Sequence, residues 1–341
     1  MTHQVTVQPS GHVFQVPEGE TVLAAALGEG YHLPYGCRNG ACGSCKGKLV
    51  AGRIDQGKYQ HSALSEDERA AGYALFCVAK PLSDLTIEVR SIGAVKDIPV
   101  KKLPCRVHRL ERVADDVMIV HLKLPANERL QFLAGQYIEF ILKDGTRRSF
   151  SMANPPHDDE FLQLHVRHVP GGTFTDHVFG AMKERDILRF EGPLGSFFLQ
   201  ESAKPIVFVA SGTGFAPIKA IVEDALKKGV DRPMTLYWGA RRPKDLYLND
   251  LPLRWAAEHA HFKYVPVISD ALPEDAWQDR TGFVHRAVMA DFADLSGHQV
   301  YACGVPIMIE SARRDFTHER KLPLDEFYAD SFTTQADLAK G

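Results

Sequence analysis

The chain has 341 residues, of which 45% are hydrophobic and 24% charged, with a formal net charge of −3. That length allows two or three domains, the composition is that of a globular protein, and so small a charge argues against nucleic acid or a membrane surface as a partner. The opening Met1-Thr2-His3-Gln4-Val5-Thr6 lacks the basic and apolar regions of a secretory signal, and no apolar run approaches membrane-spanning length.

Residues 1–93 read as a small α+β unit. Alternation in Gln4–Val7 and Val13–Val16, with Pro9, Ser10 and Gly11 between, predicts a β-hairpin. Thr21 starts an apolar helix from Val22 to Leu27, which Gly28 and Gly30 end. Lys48–Val50 and Thr86–Val89 read as strands, and Ser65 opens a short helix with an acidic first turn, Glu66-Asp67-Glu68. Residues 94–104, with Pro99, Lys101, Lys102 and Pro104, read as a semi-stiff linker.

Within this unit Cys37, Cys42, Cys45 and Cys77 form a C-x4-C-x2-C run followed by a distant fourth cysteine. That is the plant-type spacing for a [2Fe–2S] cluster. The loop around the first three carries Gly36, Gly40, Gly43 and Gly47, which allow the positive φ and close backbone approach that N–H groups need to face cluster sulfurs. Zinc usually takes paired C-x2-C units, and here one such pair stands with an odd Cys37 upstream. A thioredoxin-like Cys42/Cys45 pair would need neither Cys37 nor the glycines, and a disulfide framework would need an exported chain. The cluster is therefore the preferred reading, with one-electron transfer as its chemistry. Cys105 and Cys303 fall outside the motif; Cys105 reads as a small buried apolar residue. The whole inventory suits a reducing cytoplasm.

Residues 105–200 are strand-rich: Val107, Met118–Leu122, Tyr137–Leu142, Phe150–Met152, Leu162–Val166 and Ile187–Phe190, with a helix from Phe174 to Lys183. This pattern predicts a small antiparallel β-barrel. In residues 201–341 the order becomes strand, glycine loop, helix, repeated: Ile206–Ala210, Gly212-Thr213-Gly214 and a helix to Lys228, then strands at Met234–Gly239, Lys263–Ile268 and Gln299–Ala302. That alternation predicts an α/β domain with a parallel sheet.

Arg148-Ser149-Phe150-Ser151 in the barrel region resembles the R-x-Y/F-S strand of the ferredoxin–NADP reductase superfamily. The resemblance implies that Arg148 pairs with an FAD pyrophosphate, Phe150 lies against the isoalloxazine and Ser151 hydrogen-bonds near flavin N5; each role suits its side chain. His165-Val166-Arg167 resembles the second flavin segment, and Gly171-Gly172-Thr173-Phe174-Thr175 the G-G-x-x-S phosphate loop, with Thr175 in place of Ser. Gly192-Pro193-Leu194-Gly195 resembles the turn that closes the barrel. Further on, Gly212-Thr213-Gly214-Phe215-Ala216-Pro217 is similar to the family's nicotinamide-nucleotide loop, and Cys303-Gly304-Val305-Pro306 to its C-G-x-P element, which implies Cys303 beside the nicotinamide C4. The tail Glu326-Phe327-Tyr328-Ala329-Asp330-Ser331-Phe332 resembles the segment that covers the flavin, with Phe332, or in its place Tyr328, as the stacking residue of a mobile lid.

The modules together resemble reductases of the CDP-6-deoxy-glucoseen and phenol hydroxylase kind: a β-grasp ferredoxin, an FAD barrel and an NAD domain. What this implies is electron flow from NADH through FAD and the cluster to a partner, either a dehydrase or the oxygenase component of an aromatic or alkane oxygenase. Two rival classes are a partner-free flavin or ferric reductase and a non-enzymatic iron–sulfur carrier subunit. The first has no use for an exposed cluster, and the second none for Gly212-Thr213-Gly214 or Cys303. Arg241 and Arg242 could reach a 2′-phosphate, but Ser269-Asp270 ends the next strand, and an acidic residue there accepts from ribose hydroxyls; NADH is preferred over NADPH. Arg38, Lys46, Lys48, Arg53 and Lys58 face only Asp55 in this stretch. They read either as a solvated face or as a patch on which an acidic partner docks over the cluster.

Overall fold

The structure, a computed structural model, describes residues 2–90 and 98–332. The first module is built on β1 (Thr2–Gln8) and β2 (Val13–Pro17), the expected antiparallel hairpin. Val5 and Val7 of β1 are buried while Gln8 is exposed, as a half-buried strand requires. Helix α1 (Val22–Gly28) follows, with the Thr21 hydroxyl accepting from Ala24 N–H and Val22, Leu23, Ala25 and Ala26 turned into the core. Then come β3 (Lys46–Ala51), β4 (Ile54–Asp55), α2 (Glu66–Ala70), β5 (Tyr73–Leu75), β6 (Lys80–Pro81) and β7 (Leu85–Glu88). Ser65 and Glu68 form a reciprocal capping box on α2. The sheet order β2-β1-β7-β3-β5, with β1 and β7 parallel, is the β-grasp arrangement.

The second module holds β8 (Lys101–Ala114), β9 (Val117–Lys123), β10 (Tyr137–Ile141), β11 (Arg147–Ser151), β12 (Leu162–Arg167), α3 (Thr173–Gly180) and β13 (Ile187–Leu194). Its antiparallel sheet has the order β11-β10-β13-β8-β9-β12, and a Met152–Leu164 bridge joins the two outer strands, closing the barrel. One boundary shifts. Lys101–Pro104, expected in the linker, belong to β8, where Leu103 pairs with Phe190 and Pro104 with Arg189. Leu103, Cys105 and Val107 alternate into the barrel core, a pattern the flanking prolines obscured. Residues 94–97 of the expected linker lie outside the described residues.

The third module contains β14 (Ile206–Ser211), α4 (Phe215–Lys227), β15 (Met234–Ala240), α5 (Asp250–Glu258), β16 (Phe262–Ile268), β17 (Arg280–Thr281), α6 (Val284–Asp291), β18 (Gln299–Gly304), α7 (Pro306–Glu319) and β19 (Phe327–Ser331). All six strands run parallel in the order β17-β16-β15-β14-β18-β19. Ile206–Ala210 is buried throughout, as parallel strands covered on both faces are. The order reverses between β14 and β18, and in such sheets the ligand crevice lies outside the carboxyl ends at that point. In the C-terminal tail, Phe327–Ser331 is a buried sixth strand, paired with Val300–Gly304. Among the described residues no helix is long and apolar enough to cross a membrane.

The barrel and the third module share a buried polar contact, in which His165 Nδ1 on β12 meets Tyr247 Oη at 2.8 Å. Burial, then the charge of Lys219, holds this imidazole well below its ordinary value, so it is neutral in the folded state. Below about pH 6.5 the unfolded histidine takes up a proton that the folded one refuses, so stability should fall as pH drops. Denaturant titrations of the wild type should show a slope up to ~1.4 kcal/mol per pH unit steeper, between that pH and the depressed folded value, than those of His165→Gln. Equal slopes would exclude the assignment.

Candidate functional site

The cysteine loop turns its backbone donors inward. Ala41 and Cys42 N–H groups each lie 3.3 Å from Cys37 Sγ, and those of Cys37 and Ser44 lie 3.4 Å from Cys42 Sγ. Gly40 and Gly43 both take a φ of 76°, and Arg38 joins them at 61°. All four thiols are free; those of Cys37 and Cys42 hydrogen-bond to each other, as do those of Cys45 and Cys77. Hydrogen bonds from the Cys37 thiol and Ser44 outweigh burial and hold the Cys42 thiol at about 5. These thiols, with N–H donors already aimed at two of the sulfurs, fit an iron–sulfur cluster that Cys37, Cys42, Cys45 and Cys77 would hold.

In the barrel, Arg148 and Phe150 are half-buried and Ser151 is buried. The Arg148 guanidinium makes one hydrogen bond among the described residues, to Arg147 O at 2.8 Å, and so keeps donors for an anion. Phe150 lies 5.2 Å from Phe174 and 5.9 Å from Phe140, ring centre to ring centre. Ser149 is exposed and its hydroxyl donates to Glu139, away from that aromatic group. The Thr175 hydroxyl is tied to Val169, accepting from its N–H at 3.2 Å and donating to its O at 2.9 Å, so it shapes the Gly171-Gly172 turn. Val166 is buried in the barrel core and His165 in the contact with Tyr247. These parts fit a flavin: a cationic fork, a flat aromatic surface and a glycine turn at the start of α3.

The nucleotide loop is a single 3-10 turn, Gly212–Gly214, at the carboxyl end of β14. Trp238 Nε1 donates to Gly212 O at 3.0 Å, and the indole stacks on Phe215 at 3.9 Å. A Cβ on Gly214 would fall 2.1 Å from Cys303 O, and one on Gly304 (φ 148°) would fall 2.0 Å from Ser211 Oγ. The β14 and β18 loops thus interlock, which only glycine permits. Arg167, expected beside the flavin, pairs with Asp116 at 3.1 Å and lays its guanidinium against Gly212. Asp270 accepts from the Ser269 hydroxyl at 3.0 Å at the end of β16.

All three modules converge on Asp330, a residue to which the sequence pattern assigned no role. Its carboxylate lies 3.5 Å from Ser151 Oγ, pairs in register with Cys303 through β19 and β18, and sits against Gly36 of the cysteine loop. Burial, reinforced by the Cys42 thiol, pushes this carboxyl up to about 7. Tyr328 does not reach this point: it stacks on Tyr301 at 4.6 Å, with Arg90 4.2 Å above it. Phe332 is half-buried next to the junction, its N–H donating to Gly304 O at 2.8 Å.

Hydrogen bonds to the other modules hold the cysteine loop there. Tyr137 Oη donates to Gly36 O at 3.0 Å, Ser196 binds both backbone groups of Tyr35, Ser44 donates to Ala329 O, and Arg313 of α7 donates to Cys42 O at 2.6 Å. Tyr137 and Leu194 of the barrel also pack into the first module's apolar core. Against the third module a cavity of ≈ 440 Å³ remains, lined by Lys48, Arg90, Arg313, Asp325 and Tyr328 among others. The expected basic patch divides on this geometry. Lys46 is 7% exposed and bound to Glu68, whereas Arg38 and Lys48 are exposed, Lys48 on the cavity. Burial and the Arg313 charge lower Lys46 to about 8.

A cluster loop, a flavin strand and a nucleotide loop meeting at one buried point define an oxidoreductase that passes electrons between carriers. Comparison with known proteins agrees. The chain matches the 2Fe-2S iron-sulfur cluster binding domain over residues 5–82, the oxidoreductase FAD-binding domain over 104–199 and the oxidoreductase NAD-binding domain over 208–314. It belongs to the ferredoxin–NADP reductase superfamily, in the branch with an N-terminal plant-type ferredoxin fused to FAD and NAD domains. It is 40% identical over 332 residues to the CDP-6-deoxy-L-threo-D-glycero-4-hexulose-3-dehydrase reductase of Yersinia pseudotuberculosis, covering 97% of this chain and 99% of the relative. It is 38% identical to the reductase component of phenol 2-monooxygenase from a Pseudomonas species, covering 99% and 97%. Among solved structures, the Amycolatopsis cytochrome P450 reductase GcoB superposes with a TM-score of 0.76 at 35% identity, covering 97% and 99%. The chain is an iron–sulfur flavoprotein reductase with NADH-linked chemistry.

Arg313 gives a direct test of the junction. A hydrogen bond from a charged group contributes about 1.5–3 kcal/mol, so Arg313→Ala should weaken docking of the cysteine loop roughly ten- to a hundredfold. Anaerobic stopped-flow should show flavin bleaching by NADH unchanged and cluster reduction slowed. Equal rates in both proteins would exclude the clamp.

Proposed function

We propose that the chain takes electrons from NADH and delivers them singly to a dehydrase acting on a CDP-linked deoxyhexulose, in a reducing cytoplasm. The observation that carries this reading is the 40% identity to a reductase of that name, spanning all three modules and 99% of the relative. A second reading, delivery to an oxygenase, is favoured by the 38% identity to the terephthalate 1,2-dioxygenase reductase component 2 of a Comamonas species, over 98% of both chains.

Bound FAD supplies the conversion of a two-electron donor into single electrons, and the cluster supplies their exit. The chain's own residues do the rest. Arg148 and the Gly171-Gly172 turn would hold the flavin diphosphate, Phe150 would support its ring system and the Ser151 hydroxyl would be available to it as a hydrogen-bonding group. Gly212, Thr213 and Gly214 let the pyrophosphate of NADH approach the backbone, with Arg167 supplying the countercharge. Cys303 and Gly304 border the nicotinamide, and Phe332 flanks the junction where that ring must enter. Asp330, between Ser151 and Cys42, keeps water and a full charge out of the gap between flavin and cluster. On the far side Cys37 is half-buried while Cys42, Cys45 and Cys77 are buried. The partner therefore meets the Cys37 edge, next to exposed Arg38.

Reconstitution with each candidate acceptor separates the readings. NADH oxidation coupled to product release with the dehydrase, and not with an oxygenase component, is the expected result; the reverse selects the second reading. Coupled turnover should also fall steeply with salt and fall several-fold in Arg38→Ala, since steering by charge is screened within ~10 Å at 0.1 M. Loss of the Arg148 fork should weaken FAD retention by ten- to a hundredfold, about 1.5–3 kcal/mol, read from flavin absorbance after gel filtration of Arg148→Ala.

A further inference from the structure

The carboxyl ends of β15 and β16 lie one and two strands from the glycine loop, on the side away from β18. A dinucleotide whose pyrophosphate rests on Gly212–Gly214 extends its adenosine half in that direction. The ribose 2′ position, which distinguishes NADPH from NADH, therefore meets Arg241, Arg242 and the Ser269-Asp270 turn. These segments are tied together: Ser269 N–H donates to Ala240 O and Asp270 N–H to Arg241 O, both at 2.9 Å.

Arg242 is already occupied. Its Nε and Nη2 form a two-pronged pair with Asp275, at 2.7 and 2.8 Å, and Nη2 lies 3.6 Å from Glu274. Asp275 is itself fixed, accepting from Leu272 N–H at 2.9 Å. Arg242 N–H donates to Asp245 at 3.2 Å, and Asp245 also lies 3.7 Å from Arg241 Nε. Lys244, the remaining cation of this corner, is 2.8 Å from Asp115. Every one of these cations thus has a carboxylate, while Asp270 adds a further negative charge at the end of β16. A guanidinium engaged side-on through Nε and Nη2 keeps only its end-on edge for a phosphate, and here Glu274, 3.6 Å from Nη2, sets a second negative charge against that edge.

We propose that Asp275, backed by Glu274, sets the nucleotide preference by withholding Arg242 from a 2′-phosphate. Asp275 is a positioning residue: it acts through the arginine and does not itself touch the nucleotide. This inference rests on NADH being the donor, as argued above, and it names what in the chain excludes NADPH. An ion pair that merely braces the turn would affect stability and leave the ratio between the two nucleotides alone.

The test uses the holoenzyme with ferricyanide as acceptor, comparing wild type, Asp275→Ala, Asp275→Asn and Asp275→Ala/Arg242→Ala with both nucleotides. Freeing the fork for one charge-assisted contact should raise kcat/KM for NADPH about tenfold or more. The gain should come through a lower KM, with kcat and the NADH constants within about twofold. Inhibition by 2′,5′-ADP should tighten by the same factor, and inhibition by 5′-ADP should not change. The double variant should return to the wild-type NADPH value. Unchanged NADPH kinetics in both single Asp275 variants would overturn the inference, as would a gain that survives loss of Arg242. A wild type that already prefers NADPH would overturn the donor reading and the inference with it.

Discussion

A loop that wraps an iron–sulfur cluster has a backbone accounting problem, and its solution organises this molecule. Turning the N–H groups of Cys37, Ala41, Cys42 and Ser44 toward sulfur aims neighbouring carbonyls outward, and a buried carbonyl needs a donor. Gly36 O finds the Tyr137 hydroxyl of the barrel, and Cys42 O finds Arg313 of the third module. Docking of the three modules thus completes hydrogen bonds that cluster binding leaves open. The interface is polar for that reason, and it leaves the cavity beside Lys48 and Arg90.

The strand β19 converts this contact into alignment. As a parallel sixth strand it sets Ala329 opposite Ala302 and Asp330 opposite Cys303. The same strand gives Ala329 O to Ser44 and turns Asp330 toward Ser151. One short segment therefore registers the nicotinamide side, the flavin side and the cluster side against each other. Burial next to Cys42 favours the protonated form of Asp330, which lowers the charge that must be kept out of water beside a thiolate cluster.

Much of this was legible in the sequence, and for definite reasons. The cysteine spacing, the Arg148–Ser151 strand and the Gly212–Gly214 loop are short-range patterns whose geometry is local, so residue order alone identifies them. Contacts made across modules were not legible. Arg313 and Tyr137 lie on an ordinary helix and strand and Ser196 in the bend after β13, and nothing in their neighbours marks them as donors to a loop as much as 271 residues away in the chain. The reach of the Arg167 side chain from its barrel strand to Gly212 of the third module is likewise not marked by its sequence neighbours. The tail's aromatic residues are visible in the sequence, but its pairing as a fully buried strand is set by β18, more than twenty residues upstream. Lys46 looked like surface charge because a charge run carries no sign of Glu68 folding over it.

Nucleotide choice and electron routing occupy opposite ends of one sheet edge. The proposed selection by Arg242, Asp270 and Asp275 stands at the ends of β15 and β16, while the proposed nicotinamide site stands between β14 and β18 at Cys303. Asp275 hydrogen-bonds within its own turn and to Arg242 and shares no hydrogen bond with the Asp330 junction, so the two can vary independently. A chain of this design can change its donor without disturbing the gap the electrons cross. It can also change its acceptor at the Cys37 edge without disturbing either, because the interlocked loops at Gly214 and Gly304 fix the centre.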